Sequence, residues 1–230
     1  MVGLTGGLAS GKSSIAKILA DRGVPIFDAD AAVHGLYLAG GKGAVAVAEL
    51  FGQESLDAMG DVDREALAAR VLGDAGARLR LEAAIHPLVR FLVAEWLESL
   101  HNEPVAVVEA ALLVETGSYR DYDVLMVTWC QPQQQLERAV ARGLAAERAQ
   151  GLINAQLPLD EKKGVADVVV DNRGDLKDLA QEVEHAWTRV LQLCADRKLC
   201  REGADRGRAG GNSKLKTKSS KLDRVDGRHS

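Results

Sequence analysis

The residues Gly6 to Ser13, GGLASGKS, constrain the fold more than any other part of the chain. They match the phosphate-binding pattern G-x-x-x-x-G-K-[ST] at every fixed position. Glycines allow the tight turns that point backbone N–H groups at a phosphate, and the next helix presents its positive dipole end to the anion. We therefore predict a nucleotide-binding loop between a strand at residues 1–5 and a helix at 14–22, and not an accidental glycine-rich turn.

Each residue type in this loop has a chemical reason to contact a nucleotide. Lys12 is expected to reach the β- and γ-phosphates as a mobile cation, and the Ser13 hydroxyl is expected to help to hold Mg²⁺. The other predicted nucleotide-binding residues of the loop and of the first helical turn are Gly7, Ala9, Ser10, Gly11 and Ser14.

Charge divides the chain into an acidic body and a basic C-terminal segment. The net charge of the 230 residues is −4. Residues 197–230 contain 11 Lys and Arg against 4 Asp and Glu, which leaves −11 on the remainder. An acidic body argues against a specific nucleic-acid-binding module. From residue 196 onwards large apolar side chains are few, so we predict one domain at residues 1–195 and a disordered basic tail at 196–230.

Cysteine usage and hydropathy bear on the compartment. The three cysteines, Cys130, Cys194 and Cys200, form no C-x-x-C pair, which argues against a disulfide framework and against a zinc site. Reduced thiols are typical of cytosolic proteins. No signal peptide and no apolar run of membrane-spanning length is found. We expect a cytoplasmic protein without a membrane partner.

Acidic residues follow the second predicted strand, Val24 to Phe27. In a doubly wound α/β sheet, ligands bind outside the carboxyl ends of the strands, so Asp28 and Asp30 are predicted to lie beside the phosphate loop. One of them either orients and deprotonates an acceptor hydroxyl or contacts Mg²⁺ through water. Alternatively, one caps the helix that starts near Ala31. Asp30 is preferred as the functional residue, and an exchange of the two roles stays open.

Residues 31–100 show a mostly helical pattern. A block of this length is too long for one crossover helix, so we predict an inserted helical lobe that covers the acceptor. Asp63 is the expected N-cap of one helix, and His86-Pro87 is expected to separate two others. His86 is either a ligand contact or an ordinary packing residue. Beyond the lobe, Glu109 ends the third predicted strand, 105–109, where it is a candidate for the magnesium shell.

The last predicted elements are strands at 123–129 and 166–171 and a final helix from Leu176 to about Cys194. Between these strands, Arg138 and Arg142 lie one turn apart on the same helical face. Such a pair either folds over the phosphates on a mobile lid, at about residues 133–165, or belongs to a solvated surface.

Several separated motifs in residues 1–192 resemble the dephospho-CoA kinase family. The phosphate loop indicates only a nucleotide, whereas the combination of motifs at these spacings is far more specific. The matching segments are Leu4-Thr5-Gly6-Gly7, Asp28-Ala29-Asp30, Asp63-Arg64, Leu81-Glu82, His86-Pro87-Leu88, Leu112-Leu113-Val114-Glu115, Gln135-Leu136-Glu137-Arg138, Gln156, Pro158, Glu161-Lys162, Ala166-Asp167 and Asp171-Asn172-Arg173-Gly174.

The resemblance implies a P-loop fold like that of nucleoside monophosphate kinases, with a five-stranded parallel sheet, a helical substrate lobe and a lid. It implies transfer of the ATP γ-phosphate to the ribose 3′-hydroxyl of dephospho-CoA, the last step of coenzyme A biosynthesis, with Mg²⁺ as cofactor. We expect a monomer, and an oligomer stays open. Asp30 would be the base or the group that orients the acceptor hydroxyl, and Lys12 would be a catalytic cation. Thr5 and His86 would line the acceptor side, Arg138 and Arg142 would belong to the lid, and Asn172 would lie near the adenine.

The chain departs from the family pattern at three positions. Ala111 stands where a proline is usual, Glu109 where Asp is common and Leu72 where Phe is usual. Two functions other than phosphorylation of dephospho-CoA also fit a phosphate loop. A different small-molecule P-loop kinase would share the loop but not the acceptor. A nucleotide-regulated switch would need a guanine-reading Asn-Lys-x-Asp, which the sequence does not contain.

Overall fold

A single parallel sheet forms the centre of the molecule. The structure is a computed structural model that describes residues 1–100 and 103–214, with side chains described for all of these except 72 and 198–214. The strands are β1 (Val2–Gly6), β2 (Ile26–Asp28), β3 (Val107–Glu109), β4 (Val124–Trp129) and β5 (Val168–Asp171). Their order is β2-β3-β1-β4-β5, and every pairing is parallel. The predicted fold class is thereby confirmed.

Helices connect the strands and cover both faces of the sheet. They are α1 (Lys12–Ala20), α2 (Ala29–Leu36), α3 (Lys42–Phe51), α4 (Arg64–Leu72), α5 (Ala75–Ser99), α6 (Pro132–Ala141), α7 (Ala146–Asn154), α8 (Leu159–Gly164) and α9 (Leu176–Lys214). Strand β1 is buried along its whole length, as expected for a central parallel strand covered on both faces. One cluster joins this strand to α1 and α9 through Leu4, Ile15, Leu19, Leu179 and Val183.

Helices α2 to α5 pack around an apolar cluster of their own. Its fully or almost fully buried members include Val47, Phe51, Leu67 and Ile85. Asp63 caps α4, as predicted, because its carboxylate accepts from the backbone N–H groups of residues 65 and 66. The four helices therefore have an interior separate from that of the sheet, although α5 also packs against the sheet through Val93.

Helix α5 corrects one prediction, since it continues through His86-Pro87 instead of ending there. Proline removes one intrahelical hydrogen bond and crowds the preceding turn, which usually kinks a helix. Here packing on both sides of Pro87 holds the two halves in one helix. Ile85 lies in the α2–α5 cluster, and Val93 packs with Val108 and Leu125 of the sheet.

Helix α9 corrects a second prediction, because it runs to Lys214, whereas the sequence predicted an end near Cys194. The structure continues α9 through residues 196–214. Residues 215–230 lie outside the described part, and the predicted disordered tail at 196–230 stays a prediction. Residues 195–209 are rich in Ala and Arg, which have high helix propensity, and extending a helix adds one hydrogen bond per residue. An Arg197–Asp167 ion pair ties this part of α9 to the body. No helix in the described ranges is long and apolar enough to cross a membrane.

Candidate active site

The loop between β1 and α1 has a shape that depends on two other parts of the chain. Ala9 and Gly11 adopt left-handed φ values of 54° and 106°, a conformation that aims successive N–H groups into a concave anion site. A Cβ at Gly11 would lie 1.9 Å from Nδ2 of Asn172, and one at Gly7 would lie 2.4 Å from Nε2 of Gln135. Close neighbours therefore disfavour a side chain at both glycines, and at Gly11 the left-handed backbone disfavours one as well.

Side-chain amides hold the loop from outside. The Leu8 N–H donates to Oε1 of Gln156 (2.8 Å), and Nε2 of Gln135 donates to the Leu8 carbonyl (2.8 Å). Nδ2 of Asn172 donates to the Ser10 carbonyl (2.7 Å). The loop is thus fixed by residues from α6, from the α7–α8 connection and from the end of β5. Asn172 was predicted as a nucleotide residue, whereas Gln135 and Gln156 were not chosen as site residues.

A cation and two carboxylates meet where β1, β2 and β3 end. Nζ of Lys12 donates to Oε1 of Glu109 (2.9 Å) and lies 3.5 Å from Oδ2 of Asp30. The Ser13 hydroxyl donates to the same Glu109 oxygen (3.0 Å), and Ser14 follows in the first turn of α1. Glu109 is 5% exposed, so its negative charge is balanced mainly by Lys12. The predicted grouping of strand-end carboxylates with the phosphate loop is confirmed.

The structure gives Asp28 and Asp30 different surroundings. Asp28 is the N-cap of α2 and accepts from the Ala31 N–H (2.8 Å), so the capping interpretation holds for this residue. Asp30 lies in the first turn of α2 with 53% of its side chain exposed. It accepts a hydrogen bond from the Ala111 N–H (3.2 Å). A proline at position 111 would lack this donor.

Beside Asp30, a cavity of about 990 Å³ opens between the α2–α5 lobe and the β3–β4 connection. Its walls are mainly apolar, and its size falls at the upper end of ordinary ligand pockets. His86 lines the cavity from the middle of α5 and Asp30 from α2. Other lining residues are Val33, Tyr37, Leu81, Ile85, Val89, Arg64, Arg78, Arg90, Tyr122 and Gln156.

The two arginines of the predicted lid differ in their environment. Nη2 of Arg138 donates to the Asn172 carbonyl (2.8 Å), which places this guanidinium beside the loop-holding amide. Arg142 is the C-cap of α6, and its side chain is exposed. Near Arg138, burial raises the pKa of the Cys130 thiol above its usual value, which disfavours the thiolate. Arg138 is therefore held beside the loop by a hydrogen bond, whereas the side chain of Arg142 lies at the surface.

A buried lysine is the main feature that the sequence interpretation missed. The Lys162 side chain is fully buried, and its Nζ donates to the carbonyls of Gly6 (3.2 Å) and Ala111 (3.0 Å) and pairs with Glu115 (2.6 Å). Thr5, also fully buried, donates through Oγ1 to the Ala111 carbonyl (3.1 Å). The sequence offered one signal for this lysine. Leu159 and Lys162 are three residues apart in α8, so they share a face, and both are buried.

Comparison with known proteins decides the family. The CoaE family model, described as dephospho-CoA kinase, matches residues 1–178. The chain belongs to the dephospho-CoA kinase family. It is 41% identical over 193 residues to the dephospho-CoA kinase of Cutibacterium acnes, covering 82% of this chain and 84% of the relative. It is 40% identical over 190 residues to that of Symbiobacterium thermophilum, covering 81% and 80%.

Solved structures share the fold of this chain. TT1252 from Thermus thermophilus superimposes with a TM-score of 0.72 at 33% identity, covering 83% of this chain and 95% of that protein. A dephospho-CoA kinase from Campylobacter jejuni superimposes with a TM-score of 0.59 at 24% identity, covering 82% and 96%, which supports the fold. The predicted family is confirmed, and the chain is a kinase.

Proposed function

We propose that the protein transfers the γ-phosphoryl group of ATP to the ribose 3′-hydroxyl of dephospho-CoA and so releases coenzyme A and ADP. One observation carries the proposal. The Asp30 carboxylate lies 3.5 Å from Nζ of Lys12 on one side and lines the large cavity on the other. A hydroxyl bound in that cavity next to Asp30 would therefore meet a phosphoryl group held by the loop.

The nucleotide side supplies charge and direction. Inward N–H groups of residues 7–13 would bind the phosphates of ATP, and Lys12 would exchange Glu109 for the β- and γ-phosphate oxygens. Asn172 fixes the loop through the Ser10 carbonyl. The adenine is proposed to bind near Asn172 and Arg138. These groups are in place before the reaction, so little reorganisation is needed in the transition state.

The residues at the start of α1 fit a magnesium ion. Mg²⁺ prefers hard oxygen ligands and usually takes one or two from the protein, with the rest from water and phosphate. The Ser13 hydroxyl and the Glu109 carboxylate lie 3.0 Å apart and provide such oxygens. Among the described residues no group of three or more His, Cys, Asp or Glu is placed to hold a metal, so phosphate oxygens would complete the shell. When bound, the ion would neutralise charge on the β- and γ-phosphates.

Asp30 would orient the acceptor and receive its proton. In the transfer, the ribose 3′-oxygen forms a bond to the γ-phosphorus while the bond from this phosphorus to the β,γ-bridging oxygen breaks. The hydroxyl proton moves to Asp30, and the electron pair of the broken bond stays on ADP. Because the transition state of phosphoryl transfer is loose, holding the hydroxyl in line contributes more than early proton removal. Thr5 and His86 are the proposed acceptor-side residues.

Helices α6 to α8 are the proposed lid. Their residues already touch the loop, since Gln135 and Gln156 hold Leu8. Closure over ATP would bring Arg138 and Arg142 to the charge that spreads over the γ-phosphoryl oxygens. Lid closure would also exclude water, which protects ATP from hydrolysis.

The function is tested by measuring ADP release with ATP alone, with dephospho-CoA and with 3′-deoxy dephospho-CoA. We expect rapid ADP release only with dephospho-CoA, and phosphorus NMR should show a new 3′-phosphomonoester. Shikimate and gluconate serve as acceptors for the alternative of another small-molecule kinase. Turnover of the 3′-deoxy compound, or ADP release that does not depend on the acceptor, would rule out the proposed reaction.

A further inference from the structure

Lys162 is buried in a way that stability alone does not favour. Its side chain has no solvent exposure, and its three ammonium donors are used by Gly6, Ala111 and Glu115. Burial lowers the pKa of Lys162, while the hydrogen bond and charge of Glu115 act in the opposite direction. Replacing a buried ion pair by apolar residues is often neutral or stabilising. Stability therefore does not explain why a lysine is buried beside the phosphate loop, and a role beyond packing is indicated.

The partner carboxylate is not arranged for maximal stability either. Oε1 of Glu115 accepts from both Lys162 (2.6 Å) and the Leu157 N–H (3.2 Å). Oε2 of Glu115 is buried and has no hydrogen-bond partner in the part of the chain that the structure describes. Leaving a buried oxygen unpaired costs free energy. The pair instead sets the position of the lysine between three segments that are far apart in sequence.

Those segments meet at Ala111. Its carbonyl accepts from both Lys162 (3.0 Å) and Thr5 (3.1 Å), while its N–H donates to Asp30 (3.2 Å). Two donors on the carbonyl restrict the backbone of this residue, and the restricted N–H in turn orients a carboxylate that is otherwise half exposed. Ala111 lies two residues after the end of β3 and outside the named strands, so it has no sheet pairing of its own to fix it.

We propose that Lys162 is a positioning residue, which holds Ala111 so that the Ala111 N–H keeps the Asp30 carboxylate aimed at the acceptor hydroxyl. This inference rests on the proposed role of Asp30. Lys162 touches neither substrate in this arrangement and acts on Asp30 mainly through the Ala111 backbone, with a smaller direct contribution from its charge. Lys162 lies in α8, which belongs to the proposed lid. The orientation of the Asp30 carboxylate therefore also depends on the position of α8.

A double-mutant cycle tests the inference, with kcat and both KM values measured for wild type, Lys162→Met, Asp30→Asn and the double variant. A misplaced catalytic group costs about 10–100-fold, so Lys162→Met should lower kcat by this amount while the KM for ATP changes less than about twofold. In the Asp30→Asn background the same change should cost less than about threefold, because coupled residues are not additive. Equal losses in both backgrounds would overturn the proposal.

Controls separate positioning from folding and from failure of the proposed reaction. Lys163→Met removes the exposed neighbouring charge on the same helix and should leave kcat and Tm near wild type. If Lys162→Met does not fold, Lys162→Met with Glu115→Gln removes the pair without leaving a buried carboxylate and enters the same cycle. Loss of activity in Asp30→Asn combined with additive losses at Lys162 would reject this inference alone. An Asp30→Asn variant with full activity would reject the role of Asp30, and with it the inference.

Discussion

The nucleotide side and the acceptor side of the site are built by different physical means. Around the phosphate loop, directional hydrogen bonds from Gln135, Gln156 and Asn172 fix individual backbone groups at 2.7–2.8 Å. The acceptor side is a cavity of about 990 Å³ with mainly apolar walls. One side specifies positions of atoms, and the other specifies a shape.

This difference follows from the ligands that each side is proposed to hold. Phosphate charge is stabilised by preorganised dipoles, whose effect depends on distance and angle. Apolar contact is non-directional and scales with buried area, so an apolar wall selects by volume and outline. Directional chemistry on the acceptor side is concentrated in a few groups, with Asp30 nearest to Lys12. Variants on the two sides should therefore fail in different ways.

Asp30→Asn shares the largest expected effect with the arginine variants described below, and it changes the directional group of the acceptor side. Removing a general base typically costs about 10²–10⁴ in rate. We expect kcat to fall near the lower end of this range, because positioning matters more than basicity in phosphoryl transfer. ATP affinity should change little, since the loop and Lys12 hold the nucleotide.

Asp28→Asn is the matched control, because Asn is also a good N-cap and should keep both α2 and activity. The measurement is kcat with both substrate affinities at saturating Mg²⁺. Retention of more than about a third of kcat in Asp30→Asn would fall well short of general-base loss. If Asp28→Asn is then the inactive variant, the two roles must be exchanged.

The next prediction concerns Arg138 and Arg142, and it tests whether they act on the nucleotide side of the site. Removing an electrostatic donor to a developing charge often costs about 10²–10³ in rate. Both Arg138→Ala and Arg142→Ala should lower kcat more than they weaken acceptor binding. Only Arg138→Ala should also lower Tm, because it removes the donor to the Asn172 carbonyl. Near-full activity in both variants would favour the solvated-surface interpretation of this helix face.

A smaller effect is expected from Gly11→Ala, which perturbs the directional side without removing charge. Its φ is 106°, and the new Cβ would lie 1.9 Å from Nδ2 of Asn172. A left-handed conformation costs a non-glycine residue about 1–2 kcal/mol, and displacement of Asn172 adds to this. We expect the Kd for ATP, measured by calorimetry, to rise at least about tenfold.

Gly143→Ala isolates the backbone strain, since Gly143 has a φ of 93° and nothing within 4 Å of its would-be Cβ. This control should lose stability without a comparable loss of ATP affinity. Equal ATP affinity for Gly11→Ala and wild type would show that the loop adapts. The contrast between a fixed nucleotide side and a shape-defined acceptor side would then fail.

The smallest effect tests the apolar character of the acceptor side through pH. Burial, with a further contribution from Asp121, raises the pKa of Tyr122 to about 12. Because the folded state keeps this proton longer than the unfolded chain does, the stabilisation is complete below pH 10 and is lost as pH rises from about 10 to 12. Tyr122→Phe should remove about 1 kcal/mol of the stability loss between pH 10 and 11.

The measurement is the free energy of unfolding in urea at pH 9, 10 and 11. Tyr37→Phe is the matched variant in the lobe, where burial also raises the pKa of the tyrosine, and it should remove a separate part of the loss. An unchanged alkaline loss in Tyr122→Phe would mean that the hydroxyl is well hydrated and that this wall of the cavity is less apolar than described.

The parts of the site that could be predicted are those whose signals are local. The strand–loop–helix unit around the phosphate loop, the presence of five strands at the predicted places along the chain and the Asp63 cap depend on residues within a few positions of one another, and the structure confirms them. The strands begin one or two residues later than predicted, because pairing starts only where the neighbouring strand begins. The predicted helix break at His86-Pro87 and the predicted helix end near Cys194 were wrong. Proline and polar composition disfavour a helix locally, but tertiary packing and the propagation of an existing helix outweighed them.

The sequence by itself determined the family, the nucleotide loop and the position of Asp30 just after the second strand. The loop and Asp30 lie in short contiguous motifs, and the family follows from several such motifs at fixed spacings. Only the tertiary structure decided which carboxylate caps α2 and which faces the cavity, because both choices fit the same three-residue motif. It also decided that Lys162 is buried against Gly6, 156 positions earlier in the chain. A contact between residues so far apart depends on how the sheet and helices pack, and no local pattern records it.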